Sequence, residues 1–240
     1  MATALLVRDQ LLDRELALKL LELPGTEALQ LFRDEFVVLS GLAHPRLTRV
    51  HDFGSERGDF GLTHFYTADR VEGATLDRFV LARSWPVVAR PLCDALHALA
   101  FLHALGIRHG DFKPDNVIVC SDGRGTLIDL GCAGPLEAAP SSLSGTPAYM
   151  APELLDGGPV DGRADLYSVG VTLDELLRKM AGEPPAPAVA LADRLTRREP
   201  SARPAQVAEV LELLGDHEPV VAAPAGRAPR LLGRERELER

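Results

Sequence analysis

Four side chains within one short stretch are of the types that could share a piece of chemistry. His109-Gly110-Asp111-Phe112-Lys113-Pro114-Asp115-Asn116 is followed by Ile128-Asp129-Leu130-Gly131. Between these segments lie two apolar runs, Val117 to Cys120 and Thr126 to Ile128, joined by the turn formers Ser121 to Gly125. Apolar, turn, apolar reads as a β-hairpin. Asp111 then precedes the hairpin, and Asp129 leaves it just before a flexible glycine. Phosphoryl transfer needs such a set. One carboxylate takes or orients the proton of the attacking hydroxyl, a second carboxylate and an amide oxygen hold Mg²⁺, and a cation offsets charge on the moving group. Asp111, Asp129, Asn116 and Lys113 are the right types in the right order. The plainer alternative is a turn-rich hairpin with solvated carboxylates, which a lone Asp-Gly pair would favour.

Other elements must position this set. Residues 4 to 8 and 15 to 21 read as two strands around a polar turn at Asp9 to Arg14. The second places Lys19 inside an apolar run, where a half-buried ammonium needs a partner or must snorkel to water. Thr26 is placed to cap a helix over about 27 to 40, with Leu29, Phe32, Phe36 and Leu39 on its apolar face and Glu35 beside them. His44-Pro45 ends that helix. Leu47 to Phe53 and Leu62 to Val71 read as a hairpin with its tip at Ser55 to Asp59. Residues 85 to 105 are helical in pattern, with Leu92, Leu96, Leu99 and Leu102 or His103 in register, and Gly106 stops the run. His97 and His103 fall on or near its packed faces.

The set of 240 residues, 46% hydrophobic and 25% charged, is ordinary for a globular chain. A net charge of −9 argues against a nucleic-acid binder that relies on an overall basic surface. The three cysteines, Cys93, Cys120 and Cys132, imply no disulfide framework and no zinc site, and they fit a reducing compartment. Arg8, Asp9, Asp13, Arg14 and Glu15 rule out a signal peptide in the first apolar stretch. No apolar run approaches the ~20 residues that span a bilayer. The expectation is a cytoplasmic protein with no membrane segment and no nucleic-acid partner.

HGDFKPDN and DLG resemble the catalytic and metal-binding loops of the eukaryotic-like protein kinases, H-R-D-L-K-x-x-N and D-F-G. Ala17-Leu18-Lys19 resembles the V-A-I-K strand, and Glu35 matches the glutamate that positions that lysine on the α- and β-phosphates of ATP. Ala68 to Gly73 is similar to the hinge, where the backbone of Asp69 and Val71 would bind adenine, with Ala17 in the ATP site and Ala68 as a small gatekeeper. Ser144-Gly145-Thr146-Pro147-Ala148-Tyr149-Met150-Ala151-Pro152-Glu153 resembles the end of the activation segment of the Ser/Thr kinases and is the most specific stretch. The resemblance implies that Thr146 reaches Asp111 and Lys113, that Glu153 pairs with Arg203, and that Asp165 opens a buried helix and holds the catalytic-loop backbone. It runs from about residue 4 to 214.

The expected fold is α+β, a two-lobed kinase-like domain over 1–214, with a truncated β-lobe (about 1–71) and a mainly helical lobe (about 72–214). Residues 215–230 read as a Pro/Ala linker, and 231–240 resemble the start of an ATPase domain in large bacterial regulators, a plain charged helix being equally consistent. The implied activity is transfer of the γ-phosphoryl of Mg-ATP to Ser or Thr hydroxyls of proteins, with Asp111 and Lys113 catalytic and Asn116 and Asp129 on Mg²⁺. Three departures are visible. The last glycine of the family's Gly-rich loop falls at Ala2, so that loop is expected to be missing. The span from Met180 to Pro200 is too short for the helix that the family adds there. Gly110 replaces the arginine of H-R-D, so no guanidinium at that position can receive a phosphorylated Ser141, Ser142 or Ser144. Two other readings stay open. A pseudokinase would keep the fold as a scaffold, and a small-molecule kinase would share H-G-D-x-x-x-x-N and I-D-x-G.

Overall fold

The computed structural model describes residues 4–10, 13–21, 36, 39–58, 61–137 and 145–220. The chain forms two compact units. One comprises Thr48–Val71 and the described residues before Pro45, and the other Pro45–Leu47 and the described residues from Glu72 onward.

The first unit is an antiparallel sheet of β1 (Ala4–Asp9), β2 (Arg14–Leu21), β3 (Val50–Gly58) and β4 (Gly61–Asp69), in the order β1-β2-β4-β3. The tight β1–β2 connection is held by Asp13 in the left-handed region, φ 49°, whose carboxylate accepts from Arg8 Nε at 2.9 Å. The register sets Ala17 against Ala68 and Lys19 against Tyr66. Leu16, Tyr66 and Ala68 are buried. The helical residues Phe36 and Leu39 are buried as their spacing requires, and the ring of Phe36 packs on Phe53 at 5.8 Å. Leu29, Phe32 and Glu35 lie outside the described residues.

The second unit is mainly helical. It opens with β5 (Ala74–Thr75), α1 (Leu76–Phe79) and the long α2 (Trp85–Ala104). Then come β6 (Ile107–Arg108), a 3₁₀ turn at Pro114–Asn116, β7 (Val117–Val119), β8 (Gly125–Leu127) and β9 (Gly134–Pro135). A second 3₁₀ turn, Pro147–Tyr149, leads to α3 (Pro152–Leu155), α4 (Arg163–Lys179), α5 (Ala186–Leu195), a third 3₁₀ turn (Pro200–Ala202) and α6 (Val207–Leu213). β7 and β8 form the expected hairpin and join β5 in the order β5-β7-β8, while β6 pairs with β9.

Helix α2 is the core of this unit. Leu92, Leu96, Leu99 and Leu102 recur at helical spacing and are fully buried. By length and composition α2 is apolar enough to cross a membrane, which corrects the expectation that no run would be; 67% of that stretch is buried inside the protein. The span from Met180 to Pro200 holds a single helix, α5, against α4. Gly170 permits that packing. A Cβ there would lie 2.5 Å from Leu195 Cβ and 3.0 Å from Thr196 Cγ2. Gly170→Ala gains helix propensity of ~1 kcal/mol, yet overpacking at such a contact costs ~1–3 kcal/mol. We expect a net loss of stability, read as a lower denaturation midpoint; a raised midpoint would show that the helices separate freely.

Candidate active site

The catalytic loop is fixed from below by a buried carboxylate. Asp165, in the first turn of α4, is 1% exposed. Its Oδ2 accepts from the backbone N–H of His109 and its Oδ1 from that of Gly110, both at 2.9 Å. His103 Nε2, from the last turn of α2, lies 2.8 Å from the same Oδ2. Burial pushes the Asp165 carboxyl up, but the His103 hydrogen bond and charge, His109 and the Gly110 N–H outweigh it and hold the group below its ordinary value. A depressed folded value stabilises the protein above the ordinary 3.8, and that stability is lost as the pH falls from there toward the folded value. Acid denaturation should therefore steepen below about pH 4, and Asp165→Asn should flatten the stability–pH slope in that window. An unchanged slope would contradict this assignment.

His109 links the loop that carries Asp111 to the strand that leads into Asp129. It is fully buried; its Nδ1 accepts the Asp111 N–H at 3.3 Å, so its Nε2 is the protonated nitrogen that donates to Ile128 O at 3.2 Å. Ile128 N in turn donates to Asn116 O at 2.9 Å. The loop before the hairpin and the residue before Asp129 are thus tied by main-chain and imidazole bonds.

Asp111 is the hub of the site and is buried. Its Oδ2 accepts from Lys113 Nζ at 2.6 Å and from Asn116 Nδ2 at 3.1 Å, and its Oδ1 accepts from the Thr146 N–H at 2.8 Å. Lys113 Nζ also donates to Thr146 Oγ1. The activation segment is therefore pinned onto the catalytic loop, with an ammonium beside the carboxylate. The segment is anchored further on, where Ser168 Oγ donates to Tyr149 O at 2.7 Å and Tyr149 OH donates to Glu175 Oε2 at 2.5 Å. Lys179 pairs with both Glu175 and Asp77. Burial first, and the Glu175 bond next, push the Tyr149 phenol well up, so it stays a donor.

Gly110 and Gly145 explain how these loops come so close. Gly110 has φ 79°, and a Cβ there would lie 2.3 Å from Cys132 O. Gly145 has φ 112°, and its Cβ would lie 2.8 Å from Gly110 O. The position where the family carries arginine is thus filled by main chain of the loop after Asp129, and an L side chain would be strained there.

Asn116 and Asp129, the candidate cation donors, are of types that would suit Mg²⁺. Asn116 spends its NH₂ on Asp111 O (2.8 Å) and Oδ2, which leaves its carbonyl oxygen as a hard donor. Asp129 sits in the left-handed region, φ 67°, with Oδ1 accepting from the Gly131 N–H at 3.1 Å. Among the described residues no group of three or more His, Cys, Asp or Glu could enclose a metal ion. One carboxylate and one amide suit Mg²⁺, which keeps water and phosphate ligands rather than a protein cage.

Of the other candidates, Glu153 and Arg203 pair as expected, through Nη1 to Oε1 at 2.7 Å and Nη2 to Oε2 at 2.8 Å. Lys19 and Ala17 are half-buried on β2. Asp69 N donates to Arg49 O at 2.9 Å, and its carboxylate lies 2.6 Å from His51 Nε2, while Val71 follows the end of β4. Glu35 lies outside the described residues, as do residues 231–240. His103, Tyr149, Glu175 and Gly145 carry parts of the site that sequence reasoning did not assign.

The protein kinase domain family matches residues 1–206. The chain is 34% identical over 193 residues to the serine/threonine-protein kinase PknB of Mycolicibacterium smegmatis, covering 75% of this chain and 30% of that protein. It is 31% identical over 187 residues to the serine/threonine-protein kinase PrkC of Bacillus subtilis, covering 74% and 28%. With the serine/threonine-protein kinase PknL of Mycobacterium tuberculosis the figures are 35% over 180 residues, 70% and 44%. The chain therefore belongs to the protein kinase domain family. It spans 30% of the length of the PknB proteins it matches.

Proposed function

We propose that this domain is an active serine/threonine protein kinase that transfers the γ-phosphoryl of Mg-ATP to protein hydroxyls. The observation that carries the reading is the placement of Lys113 Nζ on both Asp111 and Thr146, with the Thr146 N–H on the same carboxylate. Asp111 accepts the proton of the incoming Ser or Thr hydroxyl and aims its oxygen. Lys113 offsets negative charge on the transferring group, and Thr146 holds both in register. Asn116 Oδ1 and the Asp129 carboxylate hold Mg²⁺, which when bound neutralises charge on the phosphate oxygens. By the family resemblance, Lys19 would take the α- and β-phosphates, and the Asp69 and Val71 backbone adenine. The stretch Gly145 to Glu153, held to Asp111 and Lys113 at Thr146, resembles the activation segment of protein kinases and favours a protein substrate over a small molecule.

The test is a comparison of acceptors. The protein is incubated with γ-labelled ATP and Mg²⁺, and with a basic protein, an aminoglycoside or choline. Label on Ser or Thr of the protein acceptor is the expected result. Label on the small molecules alone would replace this reading with that of a small-molecule kinase, and no label anywhere would favour a pseudokinase.

A further inference from the structure

Among the described residues β8 is an edge strand, with no named strand on its outer side. The short segment Pro45–Leu47 covers it. Leu127 N donates to Arg46 O at 2.8 Å, and Leu47 forms a parallel bridge with Leu127. The other end of the strand is held from α2, where Asp94 Oδ2 accepts the Gly125 N–H at 3.0 Å. Two residues beyond Leu127 stands Asp129, so whatever fixes this edge also fixes the approach to the metal-binding carboxylate.

Arg46 is what holds the cover in place. It is 7% exposed, a buried guanidinium between two carboxylates. Its Nε lies 2.7 Å from Asp94 Oδ1, and its Nη2 donates to Glu218 Oε2 at 2.6 Å. Glu218 comes from the stretch that follows α6 and leads out of the domain. That stretch is itself folded back. Asp216 N donates to Leu211 O and Glu218 N to Asp216 Oδ1, both at 2.9 Å, and Asp216 Oδ1 lies 3.3 Å from His97 Nε2 on α2. The hydrogen bond from Arg46, with its charge behind it, holds the Glu218 carboxyl below its ordinary range, which accords with a formed contact.

We propose that Arg46 is a positioning residue for β8 and Asp129, and that Glu218 sets it, so that the segment leaving the domain after α6 governs metal binding and transfer from behind the site. The proposal rests on the kinase reading above. With Glu218 in place, Arg46 is balanced by two carboxylates and its carbonyl stays on Leu127. When Glu218 is removed or drawn away, Arg46 loses one of these carboxylate partners and leans harder on Asp94, which also accepts the Gly125 N–H. The edge loosens, and Asp129 is less well placed. A domain or partner that pulls on the chain beyond Val220 would act through this contact.

The test uses the whole chain with Glu218→Lys and Glu218→Gln. Two quantities are measured: amide hydrogen exchange at Leu127 and Gly125, and the Mg²⁺ concentration that gives half-maximal transfer. In Glu218→Lys, exchange at both amides should accelerate and the Mg²⁺ requirement should rise about tenfold, the lower end of what losing an outer partner of a metal ligand costs. Glu218→Gln, which can still accept from Arg46, should recover most of both. Unchanged exchange in Glu218→Lys would overturn the proposal, and so would faster exchange with an unchanged Mg²⁺ requirement. If the wild-type protein transfers no phosphoryl group, the kinase reading fails by itself. The exchange data, and Mg²⁺ titration of nucleotide binding, then still decide whether Glu218 sets the edge.

Discussion

Asp111→Asn should lower the rate constant of phosphoryl transfer by about 10²–10⁴, the usual contribution of a positioned general base, with little change in the KM for ATP. That range corresponds to about 3–5 kcal/mol of transition-state stabilisation. The split between the two constants follows from the geometry. Asp111 receives three donors, Lys113 Nζ, Asn116 Nδ2 and the Thr146 N–H, and is 7% exposed. Asparagine offers one acceptor oxygen and one NH₂, so a donor must face a donor at one of these contacts. The variant loses the proton acceptor and also loosens either Lys113 or Thr146, and both losses are felt where the hydroxyl attacks. Steady-state kinetics on a serine peptide read the split. An equal rise in KM at constant kcat would mean that Asp111 acts in binding and not in the chemical step.

Arg203→Ala should be the most damaging change to stability. Arg203 is 2% exposed and makes a two-pronged pair with Glu153, and it also donates to the carbonyls of Arg197 (2.7 Å), Arg163 (2.9 Å) and Arg198 (2.9 Å). Its guanidinium lies over the Tyr167 ring. Removing it leaves the Glu153 carboxylate, 9% exposed, without its counter-charge. Breaking a buried pair in this way costs ~3–5 kcal/mol, a fall in Tm of roughly 6–20 °C for a chain of this size. Arg203→Lys should recover only part of this, because an ammonium cannot present the fork that meets both carboxylate oxygens. Arg198→Ala is the contrast. Its pair with Asp156 is exposed, at 79% and 59%, and such pairs are worth about 0–1 kcal/mol. Thermal unfolding of the three variants measures the difference; equal Tm for the Arg203 and Arg198 variants would remove the structural role given to the Glu153 pair.

What could be read in the sequence was what local pattern or a short motif encodes. The β7–β8 hairpin follows from two apolar runs around Ser121 to Gly125, and α2 from leucines at helical spacing. Asp111, Lys113 and Asn116 lie within one loop, so their residue types and order were legible, whereas their mutual hydrogen bonds are seen only in the structure. Other parts of the site rest on pairings between distant segments, which leave no periodic trace. His103 meets Asp165 across 62 positions, and Arg46 meets Glu218 across 172. His103 reads from sequence only as one more residue on a packed helix face. Gly110 was visible as a missing arginine, but the reason a side chain is excluded, the Cys132 carbonyl against it, depends on how two loops meet. The span from Met180 to Pro200 shows the reverse case: its shortness was legible, and it holds one helix, α5, whose close approach to α4 needs Gly170.

The most direct test of the central claim is the intact mass of the protein before and after incubation with Mg-ATP, with fragmentation to locate the modified residues. An active kinase domain should gain phosphoryl groups on serine or threonine, and the Asp111→Asn protein should gain none over the same time. Tight Mg²⁺-dependent binding of ATP by the wild-type protein, with no phosphoryl transferred to itself or to an added serine or threonine substrate, would contradict the account.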